Sequence, residues 1–263
     1  MLKNLLIFVM ISCLTTSVLA AKTPEEEAAE TMQAVGYYLE TFASLEDEQA
    51  LAKAYSGIAR AWEHFIQIVD PGEPAVGQFA VLRAQAATAA RDRKRVVAAW
   101  HAAIKYNQGV NNAQRLMALN VQAAHASAKV KEFEAARQFF AAARAYTFTR
   151  GDNADSSRLF LRIQELSLLG GSMRWRNLKD ALADLRVFSE KFPMWSLSRL
   201  EAVLSETEIR LAFQPEEADK RADLSRLKAE ITLIADGLAE QLPSGYLSRV
   251  REVYYTLEDN YRL

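Results

Sequence analysis

His64, His101 and His125 are the only three imidazoles in this 263-residue chain. Zinc and iron sites take paired His at i and i+4, or His beside a thiolate or carboxylate. Each of the three falls on a different expected helix without such a neighbour, so a two-His site requires packing to join His101 to His125. The single cysteine, Cys13, lies in the first twenty residues. Carboxylates stand close together at Glu206/Glu208 and Asp152/Asp155. General acid–base work needs two of them across a cleft with separated pKa values, which spacing alone does not provide. Asp152-Asn153-Ala154-Asp155 lacks the glycine and terminal glutamate of a calcium loop and reads as a helix cap. No nucleophile elbow, P-loop or dinucleotide fingerprint occurs. The expectation is a chain that is not an enzyme and takes no metal and no cofactor.

Residues suited to recognition are easier to find. Arg91-Asp92-Arg93-Lys94-Arg95 is a basic turn, best read as solvated. Arg174-Trp175-Arg176 follows Gly170-Gly171-Ser172 in a long connection, and an exposed Trp flanked by Arg is interface chemistry. The alternative is that Trp175 folds back as a lid on Leu178 and Leu182. Arg150-Gly151-Asp152 spells an adhesive tripeptide but stands where a turn between helices is expected. Net charge is −1 overall, which gives no reason to expect nucleic acid or an anionic membrane as partner.

Those side chains must be positioned by helices. Half of the residues are hydrophobic and a quarter charged, an ordinary globular balance. No stretch alternates with period two. All six prolines, Pro24, Pro71, Pro74, Pro193, Pro215 and Pro243, fall at expected helix boundaries. Thr23-Pro24-Glu25-Glu26 opens the first helix, with Met32, Val35, Gly36, Leu39 and Phe42 on one face. Ser44 with Asp47 opens the second, whose stripe is Leu51, Tyr55, Ile58, Trp62, Phe65 and Val69. Further pairs are expected at 74–90 with 93–107, across 112–147 with a turn near Lys129–Lys131, at 158–169 with 177–191 behind an Asp155-Ser156-Ser157 cap, and at 197–213 with 217–242. Leu224, Leu227, Ile231, Ile234 and Leu238 follow 3-4-3-4 spacing, a seam too short for a coiled coil and expected to pack internally. A last helix, 246–260, carries Tyr246, Leu247, Val250, Val253, Tyr254 and Leu257 on one face and reads as a cap.

Ahead of all this, Lys3, the apolar run Leu5–Leu14 and Val18-Leu19-Ala20 form a signal peptide expected to be cleaved after Ala20. That implies a periplasmic or secreted protein. Met10-Ile11-Ser12-Cys13 is a poor lipobox, and the alternatives are an uncleaved anchor or lipidation at Cys13. The mature chain would hold no cysteine and no membrane span.

The second helices of three successive pairs share a line at i, i+4 and i+7: Val96–Trp100–Ala103, Ala136–Phe140–Ala143 and Ala181–Leu185–Phe188. Small residues let helices approach, and the larger one fills the gap between hairpins. A lone hairpin cannot cover its apolar face, so such units stack. RDRKRVVAAWHAAIKYN, VKEFEAARQFFAAARAY and RNLKDALADLRVFSEKFP, with Ala124 in a preceding helix, resemble the tetratricopeptide-repeat family over about residues 75–193. Ala136 follows Val96 by 40 residues and Ala181 follows Ala136 by 45, against about 34 in that family. Asn120, Ser127 and Phe188 also depart from its pattern.

The resemblance implies an all-α solenoid of about five hairpins plus a C-terminal capping helix, occupying residues 21–263 as one domain. It also implies a concave face, formed by first helices, that binds peptides or helices. Gln122 and His125 fall on that face, while Arg174, Trp175 and Arg176 supply a second recognition candidate. The expected function is a non-catalytic scaffold binding a protein or peptide partner in the bacterial cell envelope. The alternative is an α-helical periplasmic hydrolase with its site inside the superhelix.

Overall fold

A computed structural model describes residues 23–42, 47–109, 112–147, 152–216, 218–239 and 241–263. The expected signal peptide and Cys13, Ser44, and Arg150-Gly151 of the tripeptide lie outside the described residues. Among those described, the chain is all-α, with eleven α-helices, one short 3-10 turn and no strand.

Helix α1, Pro24–Phe42, begins as its sequence dictates. The Thr23 N–H donates to Glu26 Oε2 at 3.0 Å and the Glu26 N–H to Thr23 Oγ1 at 3.3 Å, a reciprocal capping box. Asp47 caps α2, Glu48–Ile68, by accepting from the N–H groups of Gln49 and Ala50. Leu51, Ile58, Trp62 and Phe65 of its stripe are buried, and Tyr55 turns its hydroxyl to Asp92 Oδ2 at 3.0 Å.

The next two hairpins are near-copies. One is α3, Pro74–Ala89, with α4, Arg93–Asn107; the other is α5, Ala113–Lys129, with α6, Phe133–Ala145. Each turn is a Schellman motif. The Asp92 N–H reaches Ala87 O and the Arg91 N–H reaches Thr88 O. Forty residues later the Glu132 N–H reaches Ser127 O and the Lys131 N–H reaches Ala128 O. The motif puts its first residue beyond the helix in the left-handed region, and Arg91 (φ 53°) and Lys131 (φ 65°) sit there without being glycine. Inside the hairpins Ala84, Ala87, Ala103, Ala124, Ser127 and Ala143 are all sealed from solvent. Gly77 marks the closest approach. A Cβ there would stand 3.0 Å from Asn107 Oδ1 and from the Tyr106 carbonyl.

The third hairpin corrects the sequence reading. Helix α7 runs Asp152–Leu169, so Asp155-Ser156-Ser157 lies inside it rather than capping it, and Asp155 bonds Arg158 at 3.2 Å. After a 3-10 turn over Gly170–Ser172, α8 occupies Trp175–Ser189. Its buried line is Leu178–Leu182–Leu185, three residues ahead of the expected Ala181–Leu185–Phe188, whose outer members are half-buried. A second feature marks this register. The residue at i+11 in each line, Asn107, Thr147 and Ser189, is a buried polar side chain. Each donates at 2.7 Å to a carbonyl of its own last turn: Ala103, Arg144 and Arg186.

Three helices complete the chain: α9, Leu197–Phe213; α10, Ala218–Gly237; and α11, Ser244–Tyr261. The 3-4-3-4 seam of α10 is buried against Leu200, Val203 and Leu204 of α9 and Val250, Val253 and Leu257 of α11. Leu247, expected on the buried face of α11, is instead exposed. One apolar cluster spans α1–α6 and ends at Leu169, another joins α7, α8 and α9, and a third joins α9, α10 and α11. Helix α9 belongs to two of them and is buried nearly all round. No helix among the described residues is long and apolar enough to cross a membrane.

Candidate functional site

Helices α3 and α5 supply most of the lining of a groove beside the two hairpins. Its volume is about 680 Å³. Leu51, Val121, Ala126, Phe133 and Leu168 give it an apolar lining, and Gln85, Thr88, Gln122 and His125 supply polar groups. Gln122 and His125, one helical turn apart on α5, are both exposed here. The His125 ring meets Phe140 edge-on at 6.0 Å between centroids, which orients the imidazole over the hairpin core. The Trp100 Nε1–H donates to Thr88 Oγ1 at 3.0 Å, so this wall is held by a side-chain bond within its own hairpin.

The groove contains residues the sequence reading missed: Glu48, Gln85, Thr88 and Lys129. A signal for Gln85 and Thr88 existed. Moving back 40 residues from His125, Ala128 and Lys129 lands on Gln85, Thr88 and Ala89, and all six line the groove. The same three positions of consecutive first helices thus build its surface. Glu48, in the first turn of α2, closes one rim with both carboxylate oxygens on Lys129 Nζ, at 2.5 and 2.6 Å. That contact holds the Glu48 carboxyl below its ordinary pKa, chiefly through the hydrogen bond from Lys129 and secondly through its charge.

Arg174, Trp175 and Arg176 do not form a loop. Arg174 is the N-cap of α8, and the other two are its first helical residues. Trp175 is half-buried against the cluster of Leu178 and Leu182, with the Arg210 guanidinium 5.8 Å from its ring centroid. This is the folded-back arrangement, and it leaves Arg174 and Arg176 exposed without the aromatic face between them. The basic turn is engaged as well. Arg93 binds Glu132 of the next turn at 2.5 Å, and Arg95 lies 3.9 Å from Asp92.

The histidines stay apart. His64 lies 3.2 Å from Glu27, and the His101 ring packs on Phe139 at 4.7 Å. Among the described residues no three His, Cys, Asp or Glu side chains gather as a metal ligand set. The carboxylate pair Glu206/Glu208 splits across α9. Glu206 is buried and accepts from Arg210 Nε at 2.9 Å, whereas Glu208 is bound by Arg249. Burial pushes the Glu206 carboxyl up, against the opposing pull of Arg210. Arg210 also reaches Asp223 at 2.8 Å, and Arg199 and Arg186 both hold Glu230. These charged groups form a cluster, but it is enclosed between helices. A second concavity of about 520 Å³ lies along the outer side of α11 around Tyr255 and is lined by that helix alone. With one wall it encloses nothing. No protein-family model, curated protein or solved structure matches the chain.

Proposed function

We propose that the chain is an exported, TPR-like scaffold without catalytic activity that binds a segment of a protein partner in the cell envelope. The observation that carries this reading is the repetition in the groove: Gln85, Thr88 and Ala89 recur as His125, Ala128 and Lys129 on the next first helix. A surface built from equivalent positions of stacked hairpins is the recognition mode of helical-repeat proteins. The lining suits that role, with apolar walls for a partner's side chains and amide and imidazole groups for its backbone. The export signal read at residues 1–20 supports the setting. The hydrolase alternative gains nothing from Glu206, because that carboxylate is buried behind Arg210 and does not line the groove.

The test is site-specific photo-crosslinking in the native host. A photoreactive residue replaces Gln122 in one variant and Tyr255, on the outer face of α11, in another. A discrete protein adduct from position 122 and none from position 255 is expected. Adducts from both, or from 255 alone, overturn the groove assignment.

A further inference from the structure

Among the described residues, Glu48 and Lys129 are the acidic and basic side chains that line the groove. They come from positions 81 residues apart, and both carboxylate oxygens of Glu48 lie on a single ammonium. Neither needs the other. Glu48 is the first residue of α2, where the helix dipole favours an anion, and Lys129 is the last of α5, where it favours a cation. The Glu48 side chain is 65% exposed and that of Lys129 30%, so the carboxylate swings out to water more easily than the ammonium. Behind Lys129 on the same face of α5 stand His125 and Gln122, and Gln85 joins them from α3. All three side chains can donate as well as accept hydrogen bonds, so once Glu48 leaves, the excess of donors is that of the Lys129 ammonium.

Resting on the reading of this groove as a peptide site, we infer that its occupant is an apolar segment carrying a carboxylate, and that Glu48 holds that carboxylate's place on Lys129 until the segment enters. The apolar side chains lie along Leu51, Val121, Ala126, Phe133 and Leu168. The partner's carboxylate takes Lys129 and Glu48 returns to solvent at the α2 N-terminus. An uncharged amide at that point of the partner cannot replace the charge of Glu48 on Lys129. Glu48 is therefore an internal competitor that lowers affinity for carboxylate ligands and withholds the cation from uncharged ones.

Three fluorescein-labelled peptides test this on the full chain by anisotropy: Leu-Phe-Ala-Leu with a free C-terminal carboxylate, the same peptide amidated, and Leu-Phe-Ala-Asp amidated. The third distinguishes a side-chain carboxylate from a chain terminus. Both carboxylate peptides should bind several-fold more tightly than the amide, and salt should narrow the gap. Glu48→Gln should tighten binding of the carboxylate peptides only. Lys129→Met should reduce them to the level of the amide while leaving the amide unchanged. The His125 imidazole NMR signals, which should shift on binding, locate the complex. Equal binding of acid and amide by the native chain, or no gain in Glu48→Gln, overturns the inference and leaves the peptide groove standing. Failure of all three peptides to shift His125 overturns both. If Lys129→Met fails to fold, the salt dependence and the Glu48→Gln series decide alone.

Discussion

The two repeated hairpins, α3–α4 and α5–α6, and the helices around α9 solve one packing problem by opposite means. In the hairpins the contact positions are Ala84, Ala87, Ala103, Ala124, Ala136 and Ala143, so backbones come close and dispersion does the holding. Of their buried polar groups, the asparagines bond backbone carbonyls, while Ser127 Oγ and Arg83 Nε find no hydrogen-bond partner among the described residues. Asn107 donates to the Gly77 and Ala103 carbonyls, and Asn120 to that of Leu116. Around α9 the contacts run through long charged side chains. Arg199 and Arg186 grip Glu230, Arg210 joins Glu206 to Asp223, and Arg249 ties Glu201 to Glu208. A helix with apolar partners on two sides has no polar side left for water, and its charges must find one another. The first region should therefore fail through volume, and the second through charge and pH.

The strongest test of that contrast is Ala136→Arg. Ala136 is fully buried in α6. Arginine there adds bulk to a close helix contact and carries a charge with no partner, which should cost about 4 kcal/mol or more. Urea unfolding should show the hairpins lost or the whole chain unfolded. A native-like midpoint would mean that α6 is not held by small-residue packing at all.

Next in size comes Arg210→Met, which leaves Glu206 buried without its main partner and should cost about 3 kcal/mol. Its pH dependence sharpens the comparison. Burial raises the Glu206 carboxyl above the ordinary 4.5, so the folded chain holds that proton more tightly than the unfolded one. This group favours the fold at acid pH, and its contribution is lost as pH rises from 4.5 through the folded value. Besides Arg210, the charges facing it are Arg226 at 3.8 Å, Arg186 and Glu230. Removing Arg210 moves the folded value higher still, so the deficit against the native chain should widen toward neutral pH. Adding Glu206→Gln should flatten it. A deficit that does not change with pH would show that Arg210 acts through its contact with Trp175. The equivalent titration of Ala136→Arg should show no such slope.

A smaller effect of opposite sign is expected at the turns. Lys131 holds φ at 65°, in a conformation that L side chains adopt at a cost. Lys131→Gly removes that strain while keeping the Schellman bonds, and should stabilise by about 1 kcal/mol. Arg91→Gly at φ 53° should do the same, though it also removes a charge from the basic turn. Thermal midpoints of the two variants decide this, and a decrease in either would mean that the lost side chain contributed more than the relieved backbone.

The contrast between the regions also explains what the sequence disclosed. Helices in the hairpins were legible because Ala, Trp and Phe recur at helical spacing there and prolines stand at the ends. The third line was misplaced by three residues because Leu178, Ala181, Leu182, Leu185 and Phe188 satisfy the i, i+4, i+7 rule in two registers, and only the surroundings choose between them. Helix α7 began early because its first residues are polar, and nothing apolar except Ala154 marks the turn before Leu159. The burial of α9 was hidden for a related reason. Its Ser, Glu, Thr and Arg are polar residues, buried only because α7, α8, α10 and α11 close around it. At the groove, Gln122 and His125 were expected from the family resemblance, and both line it. Glu48 and Lys129 were not, since no local spacing announces an ion pair between α2 and α5.

The smallest effect on stability should belong to the groove, and it is the most informative about role. Gln122 and His125 are exposed on the first-helix side, and no hydrogen bond to another described residue is made by either side chain. Gln122→Ala and His125→Ala should therefore change stability by no more than about 0.5 kcal/mol, the usual limit for surface substitutions. His125→Ala loses an edge contact with Phe140 and should be the larger of the two. Both should weaken binding of whatever segment crosslinks at position 122, and by more than Ala substitution of exposed Arg174 or Arg176. Comparing thermal midpoint with binding separates the roles. Loss of binding at an unchanged midpoint assigns the two side chains to recognition. If binding survives both changes and is lost on Trp175→Ala, recognition belongs to the start of α8. If Gln122→Ala unfolds the chain while Ala136→Arg is tolerated, the hairpin is inverted relative to the face assigned here, and the contrast between a volume-limited and a charge-limited half falls with it.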